Sequence, residues 1–105
     1  MANGMYVLCE IDNVLANTQH RQTEIQAERV RLTAGDHPVY PTCRMLKGFE
    51  RSGVEIVLVS FIRSQKEELE VTRKWLRNAG VKYDWLILVG ADSDKYKSLS
   101  AFLKE

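Results

Sequence analysis

Two acids one residue apart, Glu10 and Asp12, close an apolar run in MYVLCEIDNVL. An apolar strand ending in alternating acids suits the start of a phosphoryl-transfer site. Such a pair can hold Mg²⁺. A second apolar run, VEIVLVS, ends in Ser60, and Arg63 follows three residues later. A hydroxyl there can hold a phosphate oxygen; Arg63 is either a second phosphate ligand or a surface charge. A third run, WLILV, leads into GADSDKYK with Asp92, Asp94, Lys95 and Lys97. A lysine at that place offsets charge on a transferring phosphoryl group. Asp92 and Asp94 are either further metal ligands or a helix cap and a solvated acid.

These groups act together only if three strands present them together. MYVLCEI (5–11), VEIVLVS (54–60) and WLILV (85–89) are rich in Val, Ile and Leu with few polar interruptions. Such runs suit parallel strands covered on both faces. Between the first two lie two helical stretches. One covers about 19–33, with a weak stripe of Ile25, Val30 and Leu32, and is ended by Gly35 and Pro38. The other follows Pro41 with Thr42 as N-cap, carries Met45, Leu46 and Phe49 on one side, and stops at Gly53.

After the second strand, Ser64 and Glu67 form the S-x-x-E pattern of a capping box. Leu69, Thr72, Leu76 and Ala79 then share one helical face, and Gly80 closes the helix. A last helix places Leu99, Phe102 and Leu103 on a face. The order β-α-α-β-α-β-α implies right-handed crossovers and a small parallel sheet sandwiched by helices. Ligands of open α/β sheets bind beyond the carboxyl ends of the strands, where loops 12–18, 61–64 and 90–95 fall.

Size and charge bound the rest. The chain's 105 residues suit one domain over 1–105, and 45% apolar with 28% charged residues is ordinary for a globular protein. A net charge of +1 gives no strong field toward nucleic acid or membrane. No apolar stretch approaches the ~20 residues of a membrane span, and MANGMYVL lacks the basic and apolar regions of a signal peptide. Cys9 and Cys43 lack metal-ligand spacing and read as small buried thiols in a reducing cytoplasm.

The strand-end motifs resemble the haloacid dehalogenase (HAD) superfamily of phosphohydrolases. Its D-x-D-x-[T/V]-[L/V] motif is matched by Glu10-Ile11-Asp12-Asn13-Val14-Leu15, its strand-ending Ser or Thr by Ser60, and its helix-start lysine by Lys97 or Lys95. LANTQHR, T-x-x-W-L-x-x-x-G-V-x-Y-D (from Thr72 to Asp84) and ADSDKYK are further similar to the 3′-phosphatase domain of phage-type polynucleotide kinases. The resemblance implies a three-layer, Rossmann-like α/β fold. It puts Glu10 at the nucleophile position, where the family uses Asp, and Asp12 at the general acid/base position. It assigns Ser60 to the phosphoryl group, Lys97 or Lys95 to charge stabilisation, and Mg²⁺ to Glu10 and Asp12, with the Asp12 backbone carbonyl as a ligand; Asp92 and Asp94 are candidate ligands only as stand-ins for the family's further acidic pair.

Two departures separate the chain from the family. Glu at position 10 moves the carboxylate by roughly 1 Å, a misplacement that can cost ~10²-fold in rate. The family's fourth motif, an acidic pair after one more strand, has no counterpart before Glu105. The resemblance therefore implies either a Mg²⁺-dependent phosphomonoesterase of impaired activity, acting on a phosphorylated small molecule or nucleic-acid end, or a non-catalytic phosphate-binding or protein-interaction module. Without the fourth-motif strand, the largely apolar MYVLCEI becomes an edge strand, and pairing with a second copy is the simplest cover for it.

Overall fold

A computed structural model describes residues 5–18, 30, 32–64 and 66–90. Strand β1 (Tyr6–Glu10) is followed by the two-residue strands β2 (Ala16–Asn17) and β3 (His37–Pro38), with a 3-10 turn at Thr33–Gly35 before β3. Helix α1 (Tyr40–Arg51), strand β4 (Glu55–Ser60), helix α2 (Leu69–Asn78) and strand β5 (Trp85–Leu88) complete the order. β1, β4 and β5 form a parallel sheet in the order β1-β4-β5, and β2 pairs with β3 antiparallel. The architecture is the expected Rossmann-like α/β arrangement. Most of the helix expected over 19–33, and all of the one carrying Leu99, Phe102 and Leu103, lie outside the described residues.

Parallel register puts Cys9, Leu58 and Leu86 side by side on one sheet face. Leu46 of α1 and Trp75 and Leu76 of α2 join Cys9, Ile56, Leu58 and Leu88 in one core cluster, so both described helices cover that face. Each is amphipathic at helical spacing and packs its apolar stripe inward. On the opposite face Val57 and Val59 are buried too, whereas Tyr6 and Leu8 of β1 are about two-fifths exposed, at 37% and 42%. Among the described residues β1 is an edge strand.

Three local expectations give way to different contacts. Thr42 does not cap α1: the helix begins at Tyr40 after an extended Val39, with Pro41 in its first turn. The Thr42 hydroxyl instead donates to the Val14 carbonyl at 2.8 Å, tying α1 to the loop after β1. Met45, expected on the apolar side with Leu46, is about half exposed. The capping box is rearranged. Glu67 N–H donates weakly to Ser64 Oγ at 3.4 Å, but the Ser64 N–H donates to Glu68 rather than Glu67, and the helix proper starts at Leu69. Gly53 and Gly80 end α1 and α2 with positive φ, conformations that cost glycine least.

Candidate functional site

The loop after β1 folds back on itself. The Leu15 and Ala16 N–H groups both donate to the Ile11 carbonyl, and Asn13 N–H donates to the Ala16 carbonyl. This tight return needs a left-handed residue, and Asn13 supplies it at φ 64°. Asn tolerates that region better than most residues, and its side-chain oxygen accepts from the Thr18 hydroxyl at 3.1 Å. Ile11, Leu15 and Ala16 are buried inside the loop. Asp12 is thereby held at the tip of β1 with its side chain turned inward.

The chain after β4 is organised by Ser60. Its Oγ accepts from the N–H groups of Arg63 at 2.9 Å and Ile62 at 3.3 Å, bending 60–63 into a turn that sends Arg63 into the protein. The Ser60 hydroxyl proton goes to Asp12 Oδ2, at 2.5 Å. The tip of β5 meets the same turn. Val89 N–H donates to the Ser60 carbonyl, and Gly90 at φ +62° lies so close that a Cβ there would sit 3.3 Å from the Arg63 carbonyl. The strand ends therefore converge as the α/β topology requires.

Arg63 departs most from its expected role. It is fully buried, so it is neither a surface charge nor an open phosphate ligand. Its Nε donates to Asp12 Oδ1 at 3.0 Å, Nη1 to Thr72 Oγ1 at 2.9 Å, and Nη2 to Asp36 Oδ2 at 3.1 Å. The physical reason is charge. Asp12 and Asp36 are both buried carboxylates, and a buried carboxylate needs a cation and hydrogen bonds in place of water. Asp36 is itself anchored, because the Trp75 indole N–H donates to its carbonyl at 2.9 Å. Asp36 falls in no motif, and Thr72 is marked only as the first residue of the T-x-x-W-L phrase, with no role attached to it. A lone Asp beside the turn residue Gly35 and a Thr on an otherwise apolar helix face give no hint of the contact they make.

Of the expected site residues, the structure brings Asp12, Ser60 and Arg63 into direct contact. Glu10 ends β1 with an exposed side chain, on the face opposite the buried Cys9. Asp92, Asp94, Lys95 and Lys97 lie outside the described residues. Among the described residues no three Asp, Glu, His or Cys side chains converge to hold a metal ion. Both side-chain oxygens of Asp12 already face donors. Cys9 and Cys43 are free thiols. Burial pushes the Cys9 thiol up from its ordinary value, with the nearby Cys43 and Glu10 adding to the effect. Burial also raises Cys43, partly opposed by Lys47. Neither thiol is in a setting that activates a nucleophile. No helix among the described residues is long and apolar enough to cross a membrane.

No protein-family model matches the chain, and no curated protein matches it. Solved structures do. A chain in a structure of the Pnkp1/Rnl/Hen1 complex superposes with a TM-score of 0.69 at 21% identity, over 84% of this chain and 29% of that one. A chain in a structure of the Pnkp1/Rnl/Hen1 RNA repair complex gives a TM-score of 0.73 at 22% identity, over 96% of this chain and 32% of that one. At this identity the likeness shows a shared fold. The chain spans about a third of the length of the chains it matches.

Proposed function

We propose that this chain is a HAD-type, phosphohydrolase-related domain whose site at the tips of β1 and β4 takes a phosphate monoester at a nucleotide or polynucleotide end. One observation carries the reading: the Ser60 hydroxyl lies 2.5 Å from the Asp12 carboxylate, joining residues 48 positions apart at the ligand edge of a parallel sheet. The likeness to chains of an RNA repair complex supports the substrate class.

In the enzymatic form of the proposal, a Glu10 oxygen attacks phosphorus. The ester P–O bond breaks, and its electron pair leaves on the alkoxide oxygen, which takes up a proton. Water then cleaves the glutamyl phosphate, releasing phosphate and restoring Glu10. Ser60 has one hydroxyl proton, now directed at Asp12, so it must turn to donate to a phosphoryl oxygen. That turn frees Asp12 Oδ2 for proton exchange while Arg63 keeps Oδ1 in place. Mg²⁺ belongs to the proposal through the family resemblance, and Lys95 or Lys97 as the stabilising cation likewise.

The longer Glu10 side chain and the engagement of both Asp12 oxygens favour a second form, a phosphate-binding module without turnover. A Mg²⁺-dependent phosphate-release assay on a 3′-phosphorylated oligonucleotide, beside direct phosphate binding, separates the two. Turnover in the wild type, abolished by Asp12→Asn, is the expected enzymatic result. Turnover that appears only in Glu10→Asp marks a degenerate catalytic site. No turnover in either, with phosphate binding that Ser60→Ala removes, marks the binding module. If phosphate neither binds nor reacts, the proposal fails. A second copy pairing along β1 belongs to the same proposal, supported by exposed Tyr6 and Leu8 on the edge strand; a purely monomeric sedimentation profile at micromolar concentration would exclude it. The two free thiols support a reducing, cytoplasmic setting.

A further inference from the structure

We infer that Arg63 is a positioning residue for Asp12, aimed by Asp36 and Thr72 and held away from the ligand. This rests on the reading of Asp12 as a carboxylate of the phosphate site and says what keeps it in place. The geometry is that of a planar fork used on three sides. Nε meets Asp12, Nη1 meets Thr72 and Nη2 meets Asp36, all between 2.9 and 3.1 Å. A guanidinium directs its N–H groups in one plane at set angles, so fixing two of the three partners fixes where the third must lie. Asp36 is fixed independently through Trp75, and Thr72 by its place in α2. Asp12 is therefore the dependent member, its orientation dictated from behind.

The buried position of Arg63 separates this role from phosphate binding. A phosphate ligand presents donors to the open side of a site, whereas Arg63 presents no surface. Lysine is a poor substitute, because a single ammonium cannot reproduce a planar three-way fork. The arrangement joins four segments that the sequence keeps apart: the loop after β1, the segment before β3, the turn after β4 and helix α2.

The test uses the ¹⁵N-labelled full chain and follows arginine Nε–H resonances. The wild type should show one whose exchange with water is on the order of 100-fold slower than that of the exposed arginines, as expected of a group released only by larger openings. Arg63→Lys should delete that resonance and so assign it. Asp36→Asn, with the fold intact by its amide spectrum, should speed the exchange and shift the resonance. In the phosphate-release assay, Asp36→Asn and Thr72→Val should lower kcat by about 10- to 100-fold with KM within about twofold, as misplacement of a reacting group predicts. Absence of a protected arginine Nε–H, or exchange unchanged in Asp36→Asn, overturns the clamp. A rise in KM with kcat intact also overturns it and assigns the group to substrate binding. If the wild type lacks turnover, the enzymatic reading fails on its own, and the exchange measurement still decides the clamp.

Discussion

Asp84 and Asp12 stand at opposite ends of the same sheet, and each carboxylate ties a loop to β4. Asp84 does so with the main chain. Its Oδ2 accepts from the Ile56 N–H at 2.8 Å while its own N–H donates to the Ile56 carbonyl at 2.9 Å, and the residue stays exposed. Asp12 does so with side chains: Ser60 and Arg63 hold its two oxygens, and all three residues are buried. A carboxylate that pairs with an amide sets strand register and stays hydrated. One that pairs with a hydroxyl and a guanidinium out of water keeps a charge at a chosen point, at a desolvation cost that plain architecture does not require. The difference separates the register-setting end of the sheet from the end proposed as the phosphate site.

The strongest way to break this contrast is to remove the shared cation. Arg63→Ala leaves Asp12 and Asp36 buried without the guanidinium, and losing one partner of a buried pair costs about 3–5 kcal/mol. Set against the ~5–15 kcal/mol that holds a typical domain together, that is a large fraction. Urea unfolding should show the midpoint fall steeply; a loss as small as that of an exposed ion pair, about 0–1 kcal/mol, would mean the clamp does not form in solution.

A smaller effect is expected at Gly90, where β5 meets the turn around Arg63. Ala there must adopt φ near +62° with its Cβ 3.3 Å from the Arg63 carbonyl. The conformation alone costs about 1–2 kcal/mol, and relief requires the turn that aims Arg63 to move. Gly90→Ala should therefore lower both stability and phosphate binding, read by urea unfolding and by titration with inorganic phosphate. Lowered stability with binding untouched would detach β5 from the site.

Smaller again is the register-setting end. Asp84→Ala should cost about 1 kcal/mol, the net worth of one hydrogen bond, and Asp84→Asn, which keeps an acceptor oxygen, should cost less. Both should bind phosphate as the wild type does. A loss of binding in Asp84→Ala comparable to that in Ser60→Ala would erase the distinction between the two ends.

What could be read in advance follows the same division. β1, β4 and β5 were legible because unbroken aliphatic runs admit little else, and each begins or ends within one residue of the expected bounds. Asp12 and Ser60 were legible because alternating acids and a terminal hydroxyl fall at strand tips. The clamp was not. Arg63 meets partners 9, 27 and 51 residues away, a convergence that exists only after folding. β2 and β3 are two residues long and carry no period to read. Thr42 has the local preference of an N-cap, but a tertiary partner, the Val14 carbonyl, takes its hydroxyl instead.

The smallest expected effect concerns burial without a charged partner. Cys9 lies one residue from Glu10 but points to the core, and burial raises its pKa, as it does for Cys43. The folded chain therefore keeps these thiol protons to higher pH than the unfolded chain, whose thiols ionise near the ordinary value of 9.0. Stability from this source is fully present below that value and is lost as pH rises beyond it. Lysines and tyrosines titrate in the same range, so the comparison is with a Cys9→Ala, Cys43→Ala double variant. Between about pH 7 and about pH 10 the wild type should lose unfolding free energy faster than the variant. Parallel curves would mean the thiols reach water in the folded state, and the packing of β1 against α1 would then be looser than the shared core of Cys9, Cys43 and Leu46 indicates.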